Sequence, residues 1–232
     1  MKWWTTAVLL APLALMAVAG EDDAARRKRM VDEQIASREI RDPRVLAALR
    51  KVPRHEFVPD RLRDSAYEDG PLPIGFGQTI SQPYIVALMT ELLQVRPGHK
   101  VLEIGAGSGY QAAVLAEITD QVYTVEIIEP LATQAADRLR RLGYDKVKVL
   151  HADGFHGWKE HAPFDAIIVT AASDLVPPPL IEQLKPGGRM AIPLGGPFQQ
   201  QWLVLIEKDA AGQIRTRNVA PVAFVPFTRE RR

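Results

Sequence analysis

The decapeptide VLEIGAGSGY, residues 101–110, joins a short β-branched run to a stretch with helical spacing. Val101 to Ile104 predict a strand and Tyr110 to Ile118 a helix, with Gly105, Gly107 and Gly109 between them. Glycines at such a junction let the backbone turn sharply and approach a ligand closely, at the carboxyl edge where open parallel sheets bind. The spacing is G-x-G-x-G, not the G-x-G-x-x-G that seats a pyrophosphate on a helix N-terminus. Glu103, just upstream, suits a cationic amino-acid ligand better than a dinucleotide. A tight turn without a ligand is the competing reading.

Outward from this turn the alternation continues. Strands are expected at Val122–Val125, Lys146–Leu150, Phe164–Thr170 and Arg189–Pro193, with helices at Pro130–Leu142 and Pro179–Leu184 between them. Trp202–Glu207 and Val219–Phe227 read as strands with no helix between them, hence an antiparallel hairpin at the sheet edge. The fold class is therefore α/β: a doubly wound, mostly parallel, Rossmann-like sheet with helices on both faces and an antiparallel C-terminal hairpin. Upstream, Glu21 to Arg50 read as two surface helices, with the basic run Arg26–Arg29 a solvated helix face. Residues 70–83, GPLPIGFGQTISQP, are rich in Gly and Pro yet apolar at Leu72, Ile74, Phe76 and Ile80, so they form a shaped loop. A helix follows over Tyr84–Leu93, with Ser81 or Gln82 available as its cap and Pro83 in the first turn.

Two carboxylates sit at further strand ends. Glu126, about twenty residues beyond the glycines, is placed to accept hydrogen bonds from ribose hydroxyls; otherwise it is a solvated strand-end residue. Asp153, in HADGF, is placed to accept from an adenine amino group; alternatively, Asp153-Gly154 is an ordinary turn. His151, His156 and His161 do not share a helical face, and no metal site is expected.

Composition limits the alternatives. With 232 residues, 47% hydrophobic and 25% charged, the chain is long enough for one sizeable domain. Its 29 basic and 28 acidic residues leave a net charge of +1, which speaks against a nucleic-acid partner. The absence of cysteine excludes disulfides and thiolate chemistry. The first residues, MKWWTTAVLLAPLALMAVAG, have one early lysine, an apolar run from Ala7 to Val18, and Ala17 and Ala19 at signal-cleavage spacing. Residues 1–19 thus read as an export signal to the periplasm, with residues 20–232 as the working domain. The run is short for a membrane span and contains Pro12, so no stable membrane association is expected. A cytoplasmic product starting at Met16, or left uncleaved, is the rival.

VLEIGAGSGY, Glu126 and Asp153-Gly154 resemble the class I methyltransferases that use S-adenosylmethionine (SAM). LPIGFGQTISQP (72–83) and FDAIIVTAA (164–172) resemble one family in particular, the protein-L-isoaspartate O-methyltransferases, over about residues 21–228. The resemblance implies methyl transfer from SAM to the α-carboxylate of L-isoaspartyl residues in damaged proteins, with D-aspartyl residues as further acceptors, in a monomer without metal. It implies Ser81 as the active-site serine, with Gln78, Thr79 and Ile80 lining the site. SAM would be bound by Glu103, Gly105, Ala106, Gly107, Ser108, Gly109, Glu126, Asp153 and Gly154. Cytoplasmic bacterial members begin near the equivalent of Glu21, which makes residues 1–20 an addition and supports the export reading. The alternatives are a methyltransferase of RNA or small molecules, and a SAM-binding module without catalysis.

Overall fold

The structure, a computed structural model, describes residues 22–196 and 199–230. The export segment at residues 1–19 lies outside them. At the centre is a seven-stranded sheet made of β3 (Lys100–Ile104), β4 (Gln121–Glu126), β5 (Lys148–His151), β6 (Phe164–Val169), β7 (Leu184–Leu194), β8 (Gln201–Lys208) and β9 (Ile214–Val222). Its order is β5-β4-β3-β6-β7-β8-β9, parallel from β5 to β7 and antiparallel over the last two pairs. The chain winds outward from β3 to β5, then crosses back to β6 on the other side of β3. That reversal opens a crevice at the carboxyl ends of β3 and β6.

Successive side chains point to opposite faces, and both faces are covered. Val101, Val122, Ala166, Ile168 and Ala191 pack in one apolar cluster, and Leu102, Ile104, Tyr123, Val125, Ile167 and Met190 in another. Helices α1 (Asp23–Arg29), α2 (Pro43–Lys51), α3 (Pro83–Leu93) and α4 (Tyr110–Ala116) contribute to the first cluster or lie beside it. Helices α5 (Glu129–Arg141) and α6 (Pro178–Gln183) complete the fold. No helix among the described residues is long and apolar enough to cross a membrane.

Three expectations need correction. The two N-terminal helices are not merely superficial: α1 runs on as a π-helical turn, Met30–Ile35, and Met30, Val31, Ile35, Val45 and Leu49 are buried in the core. The 70–83 segment is not all loop, because β1 (Leu72–Gly75) and β2 (Gln78–Ile80) pair antiparallel around a tip where Gly75, Phe76 and Gly77 all have positive φ. The last strand starts at Ile214 and ends at Val222, not Phe227. Its first half is an exposed edge with sequence IRTRN, so no buried face imposes the apolar alternation that marks a strand. Beyond Val222 the chain leaves the sheet and passes over the cleft, where Ala172 N–H donates to the Val225 carbonyl and Phe227 N–H to the Ala172 carbonyl.

Candidate active site

The glycine turn is built by β3 and held by its neighbours. Gly105 N–H (2.8 Å) and Ala106 N–H (3.2 Å) both donate to the Val125 carbonyl, pinning the turn to the end of β4. Gly105 has φ +98°, and a Cβ there would collide with the Thr170 hydroxyl at the end of β6. That hydroxyl donates to the Ile104 (3.0 Å) and Gly105 (2.8 Å) carbonyls, so Gly105 is required both by conformation and by close approach. Gly109 does a different job: it has φ +89°, caps α4, and lies where a Cβ would press on Leu139 of α5. It lines none of the site cavities; it is a packing glycine.

Glu126 is almost fully buried at the end of β4. Its Oε2 accepts from Gly107 N–H (2.8 Å) and its Oε1 from Ile128 N–H (2.9 Å). Each oxygen retains a lone pair, so the carboxylate can hold the turn and still accept from a diol. Around it, Gln78, Thr79, Ile104, Gly105, Gly107, Ile127, Ile128, Gly154 and Thr170 form a cavity that Val225–Thr228 wall on the far side. Gly154 belongs there because a side chain would run into Ile104.

Behind the turn lies a second cavity, bordered by Thr79, Ile80, Ser81, Glu103, Ala106, Ser108, Tyr110 and Gln111. Glu103 stands opposite Thr124 and Ile168 in the ladders, on the apolar face, and is completely buried. Neither carboxylate oxygen has a hydrogen-bond partner among the described residues. Burial, reinforced by the charge of Glu126, pushes its pKa up to about 8; the Thr124 hydroxyl nearby offsets part of this without reaching hydrogen-bond geometry. An uncompensated buried acid beside a cavity is a site prepared for a cation. Ser108 is also buried, and its carbonyl accepts from Arg138 of α5 (2.8 Å).

A third cavity, bordered by Pro71, Thr79, Ser81, Gln82, Ile85, Thr170, Gln200 and Pro221–Val225, adjoins both others through Thr79 and Thr170. Ser81 borders it as well as the second cavity. The capping role expected of Ser81 or Gln82 is not observed: Gln82 occupies the cap position of α3, and no side chain caps the helix. The Gln82 amide instead donates to Asp69 Oδ1 (2.8 Å).

Asp153 is not brought into the cavity lining. Its carboxylate accepts from Phe155 N–H (3.0 Å), from Arg229 Nε (2.8 Å) and from Glu230 N–H (3.4 Å), and the Arg229 guanidinium lies 3.6 Å over the Phe155 ring. Burial pushes its pKa up, but these donors outweigh it and hold the carboxyl below its ordinary value. Residues outside the sequence reading also line the cleft: Thr170, Ile127, Ile128 and Val225–Thr228. Thr170 lies within the quoted FDAIIVTAA, but nothing in its spacing marks it as one of the residues shared by all three cavities.

The cleft thus combines a glycine turn, the buried carboxylates of Glu103 and Glu126 and a serine-lined recess at the switch point of the sheet. A family model described as Protein-L-isoaspartate(D-aspartate) O-methyltransferase (PCMT) matches residues 25–232. "Protein-L-isoaspartate O-methyltransferase 2" of Syntrophobacter fumaroxidans is 58% identical over 95% of this chain and 94% of its own. "Protein-L-isoaspartate O-methyltransferase 1" of Cupriavidus necator is 56% identical over 95% and 90%. Among solved structures, a Plasmodium falciparum protein-L-isoaspartate O-methyltransferase in complex with S-adenosyl-L-homocysteine superposes with a TM-score of 0.76 at 26% identity, over 88% of this chain and 99% of that one. On the sequence match and the architecture together, the chain belongs to the protein-L-isoaspartate(D-aspartate) O-methyltransferase family.

Proposed function

We propose that the chain transfers a methyl group from SAM to the α-carboxylate of L-isoaspartyl residues in damaged proteins, with D-aspartyl residues as further acceptors, as the first step of their repair. The observation that carries this reading is the juxtaposition of the Ser81 recess with the glycine turn and its two carboxylates, in a chain of this family. The sulfonium of SAM supplies an activated methyl. Glu126 and the cavity of Gln78, Thr79, Ile128 and Gly154 suit its ribose and base, and the unpartnered Glu103 suits its ammonium group.

An isoaspartyl α-carboxylate is ionised at neutral pH, so this displacement needs no general base. The protein's work is to align the attacking oxygen, exclude water and hold the carboxylate without quenching it. A neutral hydroxyl on Ser81 suits that task better than a direct contact with arginine, which would stabilise the ground state strongly. No lysine, arginine or histidine is found among the described residues that line the acceptor cavity. Thr79 and Thr170, common to all three cavities, form the seam between donor and acceptor.

An isoaspartyl peptide and its aspartyl twin, incubated with SAM and assayed for methanol released from the labile ester, test this assignment. Methanol from the isoaspartyl peptide alone is expected; equal yields from both, or none from either, would contradict it. The remaining parts of the reading are a monomer without nucleic-acid or stable membrane partners, and export through residues 1–19. Mass spectrometry of the mature N-terminus in fractionated cells tests the last. A periplasmic chain beginning at Gly20 supports export, and a cytosolic chain retaining Met16 sinks it.

A further inference from the structure

Arg54 has 0% of its surface exposed and pairs with no carboxylate among the described residues. A guanidinium in such a place is costly unless its protons are used, since removing an ion from water carries a penalty of several kcal/mol. Two of its nitrogens are used on main chain: Nε donates to the Ala66 carbonyl and Nη2 to the Ser81 carbonyl, both at 2.8 Å. Among the described residues the third, Nη1, has no partner, and the group lies 4.9 Å from the ring centre of Tyr110, whose hydroxyl likewise has none there. Burial lowers its proton affinity, yet a guanidinium stays charged at any working pH. Tyr110 is the first residue of α4, immediately after the glycine turn, and it borders the cavity that Ser81 and Glu103 also line. One buried cation therefore grips the Ser81 main chain and packs on the helix that carries the donor turn.

The acceptor cavity has to take an anion while its described lining holds no cationic side chain. We propose that Arg54 is a positioning residue of the acceptor site: it fixes Ser81 through the Ser81 carbonyl and supplies, from behind the peptide, the positive field that the cavity lining lacks. This rests on the assignment of the acceptor carboxylate to Ser81. A cation bonded to a carbonyl polarises the whole peptide, and in a low-dielectric interior its field reaches the next cavity little weakened. The acceptor gains electrostatic attraction without the direct arginine contact that would quench its nucleophilicity.

The test is a mutant cycle with Arg54→Met, Arg54→Lys, Ser81→Ala and each double variant. Turnover and KM for an isoaspartyl peptide are measured at saturating SAM, with SAM affinity by calorimetry and the melting temperature on the same samples. Arg54→Met should raise the peptide KM at least tenfold and leave SAM affinity within about twofold. Arg54→Lys, which keeps the charge, should recover most of the KM but little of the lost turnover. In the Ser81→Ala background the same Arg54 changes should cost less than about threefold in turnover, because the residue acts through Ser81. If SAM affinity falls in step with peptide KM, or if the Arg54 and Ser81 effects multiply, Arg54 is structural only and the proposal is wrong. If Ser81→Ala alone leaves turnover unchanged, the Ser81 assignment fails and takes this one with it. Should Arg54→Met not fold, Arg54→Lys carries the same cycle, with multiplying effects again as the contrary result.

Discussion

The donor side of the cleft carries the buried carboxylates Glu126 and Glu103, and Glu126 is held by main-chain N–H groups, whereas the described lining of the acceptor cavity, which Ser81 borders, has no charged side chain at all. The largest single contribution to the donor half comes from one strand–turn–helix–strand unit, residues 100–128, which supplies the glycine turn and both Glu103 and Glu126. The acceptor half is gathered from residues 71–85, Thr170, Gln200 and 221–225, segments far apart in the chain. The difference follows the chemistry: a cofactor with fixed charges calls for fixed counter-charges, while a damaged polypeptide must be admitted and released in many sequence contexts. It also implies that the two halves fail differently when altered.

The largest effect is expected at Glu126. Glu126→Ala removes the acceptor for the ribose hydroxyls and also frees the Gly107 and Ile128 N–H groups. Loss of two charge-assisted bonds should weaken SAM binding by about 2 to 4 kcal/mol. Calorimetry giving an affinity within twofold of the parent would break the donor half of the comparison. Next comes Gly105→Ala, which forces a side chain into φ +98° and against the Thr170 hydroxyl. A loss of about 1 to 3 kcal/mol in stability is expected, read by chemical denaturation, with SAM affinity falling as well. An unchanged midpoint would show that the seam at Thr170 is looser than the geometry indicates.

Glu103 sharpens the comparison through pH. Its folded pKa, pushed up to about 8, stands above the ordinary 4.5, so between those values folding must keep a proton that the unfolded chain has released. This residue therefore favours the folded state at pH below 4.5, loses that favour progressively as pH rises to about 8, and changes little beyond. Glu103→Gln should stabilise the ligand-free protein by an amount that grows over that window, at less than about 1.4 kcal/mol per pH unit, while weakening SAM binding. Melting curves at several pH values check it; parallel curves for parent and variant would mean that Glu103 is ionised throughout.

How much of this was legible in the sequence follows the same division. The order of strands and helices from residue 100 to 194 can be read because the central strands, β3, β4 and β6, are buried nearly throughout and appear as compact apolar runs. The acids at 103 and 126 are found by their register with the glycine turn. The final strand was misplaced because its polar edge, Ile214–Asn218, carries no burial signal. Asp153 occupies the expected strand end, but the sequence gives no sign that Arg229, 76 residues later, engages its carboxylate. Thr170 and Val225–Thr228 escape for the same reason: chain-distant contacts assemble them, and no spacing rule connects them to the turn. Arg54 escapes as well, since an isolated arginine in VPRHEF reads as a surface residue until its burial is seen.

The division of the cleft into a donor half and an acceptor half stands or falls on Ser81, which lines the acceptor cavity and caps no helix. Turnover on an isoaspartyl peptide, SAM affinity and melting temperature should be measured together for Ser81→Ala. Turnover should fall at least tenfold while SAM affinity stays within twofold and the melting temperature within about 2 °C, since no capping bond is lost, a change that would otherwise cost about 1 kcal/mol. Undiminished turnover, or a fall in SAM affinity that matches the fall in turnover, would contradict the account.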